Sequence, residues 1–91
     1  MALALEFTTK ASDARVAGHA TDLSLGGMFV KTAQPQPFGA EVVVHAKLAK
    51  SKTAFALSAV VRWTCEDGMG LQFGPLGAHE THAIMELTQQ L

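Results

Sequence analysis

The sequence predicts a mainly-β domain, a small six-stranded antiparallel β-barrel with a C-terminal α-helix. Three observations predict it. Apolar and polar residues alternate with period two in six separate segments, and every connection between them is short. After Gly74-Pro75 the period changes to that of a helix. Six short antiparallel strands most economically close on themselves, because closure removes their unpaired edges.

Leu3, Leu5 and Phe7 alternate with Ala4, Glu6 and Thr8, which marks a first strand over about residues 2–9. Polar and small residues from Lys10 to Ala14 turn the chain. A second strand runs from about Arg15 to Thr21, and Gly18 inside it marks a bulge or a close approach. Asp22 to Gly27 breaks the pattern with turn formers and a glycine pair, and Met28 to Thr32 resumes as a short strand. Pro35 and Pro37 cannot donate to a ladder, so Gln34 to Gly39 is a surface loop.

Glu41 to Leu48 forms the fourth strand, with Val42, Val44, Ala46 and Leu48 on one face and Val43, His45 and Lys47 on the other. Lys50 to Lys52 is a polar hairpin turn. The longest strand comes next. On strict alternation Phe55, Leu57, Ala59, Val61, Trp63 and Cys65 share the core face, opposite Ser58, Arg62 and Thr64. Asp67-Gly68 signals the next hairpin, and Met69, Leu71 and Phe73 alternate with Gly70 and Gln72 in the last strand. Ile84, Leu87 and Leu91 then fall on one side of a helix of about twelve residues, placed to plug or cover one barrel end.

Composition bounds the function. Residues 1–91 make one domain, 48% hydrophobic and 16% charged, with a net charge of −1. Seven scattered cations are no basic field for nucleic acid, and no apolar run is long enough for a membrane helix. The single Cys65 excludes an internal disulfide and a multi-cysteine zinc site. The start of the chain lacks the basic region of a secretory signal, so the expectation is a cytoplasmic protein.

The chemistry-bearing residues are few. His19, Asp22 and Ser24 suggest a triad, but strand alternation puts His19 and Asp22 on opposite faces and no nucleophile elbow is present. No enzyme and no catalytic residue are expected. His79, His82 and Glu86 loosely resemble a metal set yet read as a solvated helix face, so no metal is expected. Lys47, Lys50 and Lys52 form a basic hairpin tip whose ordinary reading is solvation. Asp22-x-Ser24-x-x-Gly27 carries more. A carboxylate accepts two donors from a guanine-like edge, a hydroxyl adds a further contact, and glycine lets a ligand approach the backbone. The same residues also suit an Asx-turn in which Asp22 bonds the backbone and the glycines supply positive φ. Both readings stand at this point.

Asp22-Leu-Ser-Leu-Gly-Gly-Met-Phe-Val30, Pro37-Phe-Gly39, Val60-Val-Arg-Trp63 and Gly68-Met-Gly-Leu-Gln-Phe73 together resemble the PilZ domain from end to end. The resemblance implies a six-stranded antiparallel barrel followed by a helix, in bacterial signalling by cyclic di-GMP. It also implies that Asp22, Ser24 and Gly27 form the second of two ligand motifs, reading the guanine edge and shaping the pocket. The first motif, R-x-x-x-R, precedes the first strand in that family and is missing from these residues, whose two arginines are Arg15 and Arg62. Arg15 belongs to the far end of its strand, and Trp63 reads as core.

The expectation is therefore a PilZ-type regulatory module acting through protein–protein contacts, with weak or no ligand binding of its own. The Phe38 loop and the helix are its candidate contact surfaces, and a homo-oligomer is carried as a further partner state. The alternative is a true cyclic di-GMP receptor using Asp22, Ser24 and Gly27, with arginines from a second chain or an N-terminal extension. No other cofactor is expected.

Overall fold

The computed structural model describes residues 3–9, 12–47, 54–75 and 77–88. The Lys50–Lys52 hairpin, Leu48 and Leu91 lie outside them. Six strands, β1 (Leu3–Thr9), β2 (Ser12–Leu23), β3 (Gly27–Lys31), β4 (Glu41–Lys47), β5 (Ala54–Cys65) and β6 (Gly68–Phe73), precede one helix, α1 (Ala78–Thr88). The strands close into a barrel in the order β1-β2-β3-β6-β5-β4, with every pairing antiparallel. No described helix is long and apolar enough to cross a membrane.

Alternation places the core where the pattern requires. Leu5 and Phe7 of β1, Val42, Val44 and Ala46 of β4, Leu57, Ala59 and Val61 of β5, and Met69, Leu71 and Phe73 of β6 all point inward and are buried. Phe7, Val30, Val44, Val61 and Met69 are fully enclosed. Ala83 and Ile84 of α1 are buried as well, and the helix lies against β2 and β5. Met85 on its other side is exposed. Between β3 and β4 the chain bends across the barrel wall. Thr32 Oγ1 donates to the Ala17 carbonyl, and the Gln36 amide lies 3.4 Å from the buried Met69 sulfur. Gly39 takes the positive φ of 85° that this bend requires.

Three expectations need correction. β2 extends beyond Arg15–Thr21 at both ends, because Ser12 pairs with Thr9 of β1, while Asp22 and Leu23 pair with Phe29 and Met28 of β3. The register shifts between Ala20 and Asp22, and this bulge breaks the parity that set His19 opposite Asp22. Both residues are now exposed on the outer wall. A second shift between Val61 and Trp63 inserts Arg62 as an extra residue. Beyond it Trp63 and Cys65 leave the core face for the outside, Trp63 with 53% of its surface exposed.

Candidate functional site

The two bulges converge on one place. β2 and β3 meet at a tight hairpin whose ends are joined by the Ser24 amide donating to the Gly27 carbonyl at 2.9 Å. The Phe73 amide donates to the Gly26 carbonyl and pins the hairpin tip to the end of β6. Across β6 from this hairpin lies the bulged stretch of β5. An open cavity of about 320 Å³ between them is lined by Asp22, Ser24, Gly27, Phe29, Arg62, Trp63 and Gln72. Strict alternation would have let only one of Arg62 and Trp63 face any pocket. The inserted residue turns both toward this one.

Its floor is aromatic. The Phe29 and Trp63 rings stack with centroids 5.0 Å apart and planes 21° from parallel. They lie over the two glycines of β6. A β-carbon at Gly70 would stand 2.1 Å from the indole Nε1, and one at Gly68 would stand 2.5 Å from the Phe29 ring. The glycines thus let two large rings lie against the barrel wall, covered on one side and open on the other.

The polar rim has two kinds of side chain. The Asp22 carboxylate is exposed and has no hydrogen-bond or ion-pair partner among the described residues. Ser24 is occupied: its Oγ accepts the Gly26 amide at 3.3 Å and donates weakly to the Gly27 carbonyl. The turn is therefore made by Ser24, where an Asx-turn would have used Asp22. Arg62 donates its Nε–H to the Gln72 side-chain oxygen, which holds the guanidinium along the rim. Gly26 and Gly27 do not supply positive φ, since Gly39 alone does so among the described glycines. Gly27 is required for a different reason: a β-carbon there would lie 2.0 Å from the Leu71 carbonyl oxygen of the adjoining strand.

Other expected residues fall elsewhere. Arg15 pairs with Glu6 at 3.5 Å near the opposite end of β2, seven residues or roughly 20 Å from Asp22. His19 does not line the cavity. His82 pairs with Glu86 at 3.5 Å, and no cluster of three metal-ligating side chains exists among the described residues. A second hollow on the β1–β4–β5 wall is lined by Thr8, Val43, Ser58 and Pro75, with Glu41 its one charged residue. Its described lining offers an anion no cation.

A family model for the PilZ domain matches residues 1–90. Among solved structures, the PilZ domain of CeSA from a cellulose-synthesising bacterium superposes with a TM-score of 0.78 at 18% identity. The match covers 96% of this chain and 89% of that one, and at this identity the likeness is one of fold. No curated protein matches the chain.

Proposed function

The chain belongs to the PilZ domain family, a family of cyclic di-GMP-linked signalling modules, and from that premise we propose that it regulates by contact with a protein partner, its own pocket holding the dinucleotide weakly. The observation that carries this reading is the poverty of cations among the described residues that line the cavity. Of the two arginines in these 91 residues, Arg62 alone lines it, and Gln72 already accepts one of its donors. A dianionic ligand needs several charge-assisted contacts, each worth roughly 2–5 kcal/mol where the pair is desolvated. A ligand short of two such contacts is weakened by several decades, at about 1.4 kcal/mol per decade. The Ser24 hydroxyl is engaged in its own turn, and Gly27 answers to sterics. Exposed Phe38, Leu25 and Trp63 offer apolar area for a protein surface.

A second reading, a true receptor, draws on a different observation. Asp22, Arg62 and the Phe29–Trp63 stack open on one cavity, an arrangement suited to a flat base with an anionic tail. It requires further arginines from a second chain or an N-terminal extension. Calorimetric titration of cyclic di-GMP, with Asp22→Ala as control, separates the two. Absence of heat at about a hundred micromolar supports the contact module. Micromolar binding abolished by Asp22→Ala overturns it in favour of the receptor.

A further inference from the structure

Taking the chain as a contact module, the reading proposed above, we infer that its cavity is a socket for an arginine of the protein partner, the guanidinium paired with Asp22 and laid over the Phe29–Trp63 platform. Strand register sets these residues in line. Asp22 of β2 faces Phe29 of β3, Phe29 faces Gly70 of β6, and Gly70 faces Trp63 of β5. Gly70 has no side chain, so Trp63 reaches across it to stack on Phe29. Asp22 therefore stands at the Phe29 end of the platform, and both rings and the carboxylate line the same cavity.

The one lining cation stands apart from them. Arg62 belongs to β5, three strand spacings or roughly 14 Å along the wall from Asp22 on β2, and its Nε–H is directed to Gln72. The charge of the occupant follows. The Asp22 carboxylate, exposed and without a partner among the described residues, attracts a cation and repels an anion. The face of an indole is the negative part of its quadrupole and attracts a cation as well. Both groups thus favour a ligand of the same sign.

Of the two common side-chain cations, arginine suits the site better. Its guanidinium is planar, so it can lie on a ring face, and its fork of donors engages both oxygens of a carboxylate. An ammonium is a compact point charge and does neither. Leu25, exposed between the lining residues Ser24 and Gly26, adds apolar surface at the rim for the arginine's stem. A second copy of this chain is a poor source of the arginine, because its Arg15 is paired with Glu6 and its Arg62 is held by Gln72. The occupant belongs to another protein.

The probe is N-acetyl-arginine amide, titrated at constant ionic strength into the 91-residue chain and followed by amide spectra and by the emission of Trp63, the chain's one tryptophan. A single side chain making these two contacts should dissociate at about 1 mM, with the shifts centred on Asp22, Phe29 and Trp63. N-acetyl-citrulline amide keeps the shape without the charge and should bind about tenfold more weakly, with N-acetyl-lysine amide between the two. Asp22→Asn should weaken arginine binding about fivefold or more, and Trp63→Leu should weaken it as well. Amide spectra of each variant confirm that the barrel is intact. Shifts that miss these residues, an equal response to citrulline, or a folded Asp22→Asn variant that binds arginine as the unsubstituted chain does, overturns the inference and leaves the contact module standing. Micromolar binding of cyclic di-GMP overturns the contact module, and the inference with it.

Discussion

The Trp63 indole lies against Gly70 so closely that a β-carbon there would stand 2.1 Å from Nε1. A single methyl group at Gly70 must therefore displace the ring and break its stack with Phe29. Aromatic pairs contribute about 0.5–1.5 kcal/mol beyond the area they cover. Gly70→Ala should cost about 1–2 kcal/mol and lower the melting temperature by about 4–15 °C for a domain of this size. Trp63 is the chain's one tryptophan, so its emission reports the displacement directly. Unchanged emission in a folded Gly70→Ala variant would contradict the stacked platform.

Gly27 and Asp22 belong to one motif but should part company in a denaturant titration. The obstacle at Gly27 is the Leu71 carbonyl, main chain against main chain, which cannot step aside as a flexible side chain would. Gly27→Ala should disturb the β3–β6 ladder and cost about 2–4 kcal/mol with no ligand present. The Asp22 carboxylate is exposed and unpartnered among the described residues, so Asp22→Ala should fall within about 0.5 kcal/mol of the unsubstituted chain. Equal losses from the two substitutions would refute this division.

Most of the fold was legible because the barrel core is an alternation problem. Phe7, Val44, Leu57 and Leu71 are buried where period two puts them. The site was legible only in part, because both of its walls are built on broken alternation. An inserted residue near Thr21 and another at Arg62 leave no mark in composition or hydropathy, yet each reverses the facing of the residues after it. Trp63 read as core for that reason. The spacing Gly68-x-Gly70 on β6 did carry a signal, since glycines within a strand mark close approach, here by Phe29 and Trp63. The hairpin glycines, expected to supply positive φ, do not; Gly27 is required by a neighbouring carbonyl, whereas a β-carbon at Gly26 would meet only the Ser24 hydroxyl at 3.9 Å.

The two neighbours Ile84 and Met85 test whether α1 closes the barrel. Ile84 has no exposed surface and joins the core cluster, whereas Met85 is 53% exposed. Ile84→Ala should cost about 2–5 kcal/mol and Met85→Ala close to nothing, judged by urea midpoints at unchanged slope. A small effect at Ile84 would mean that the helix docks without contributing to the core.

His45 gives the stability a pH dependence of predictable sign. Its ring is half-buried on β4, with Nε2 3.2 Å from the Thr8 hydroxyl. Burial disfavours the imidazolium and the Arg15 charge repels it, while Glu6 opposes both, so the pKa lies below the ordinary 6.5. The unfolded chain then binds a proton more readily than the folded one. This contribution is complete above about pH 6.5, is lost as the pH falls from there to the lowered folded value, and is level below it. Urea titrations between pH 8 and 5 should show that decline, and His45→Gln should flatten it. Arg15→Gln removes the repulsion and should shrink the decline, whereas Glu6→Gln removes the attraction and should deepen it. A profile unchanged by His45→Gln would place the pH dependence elsewhere in the chain.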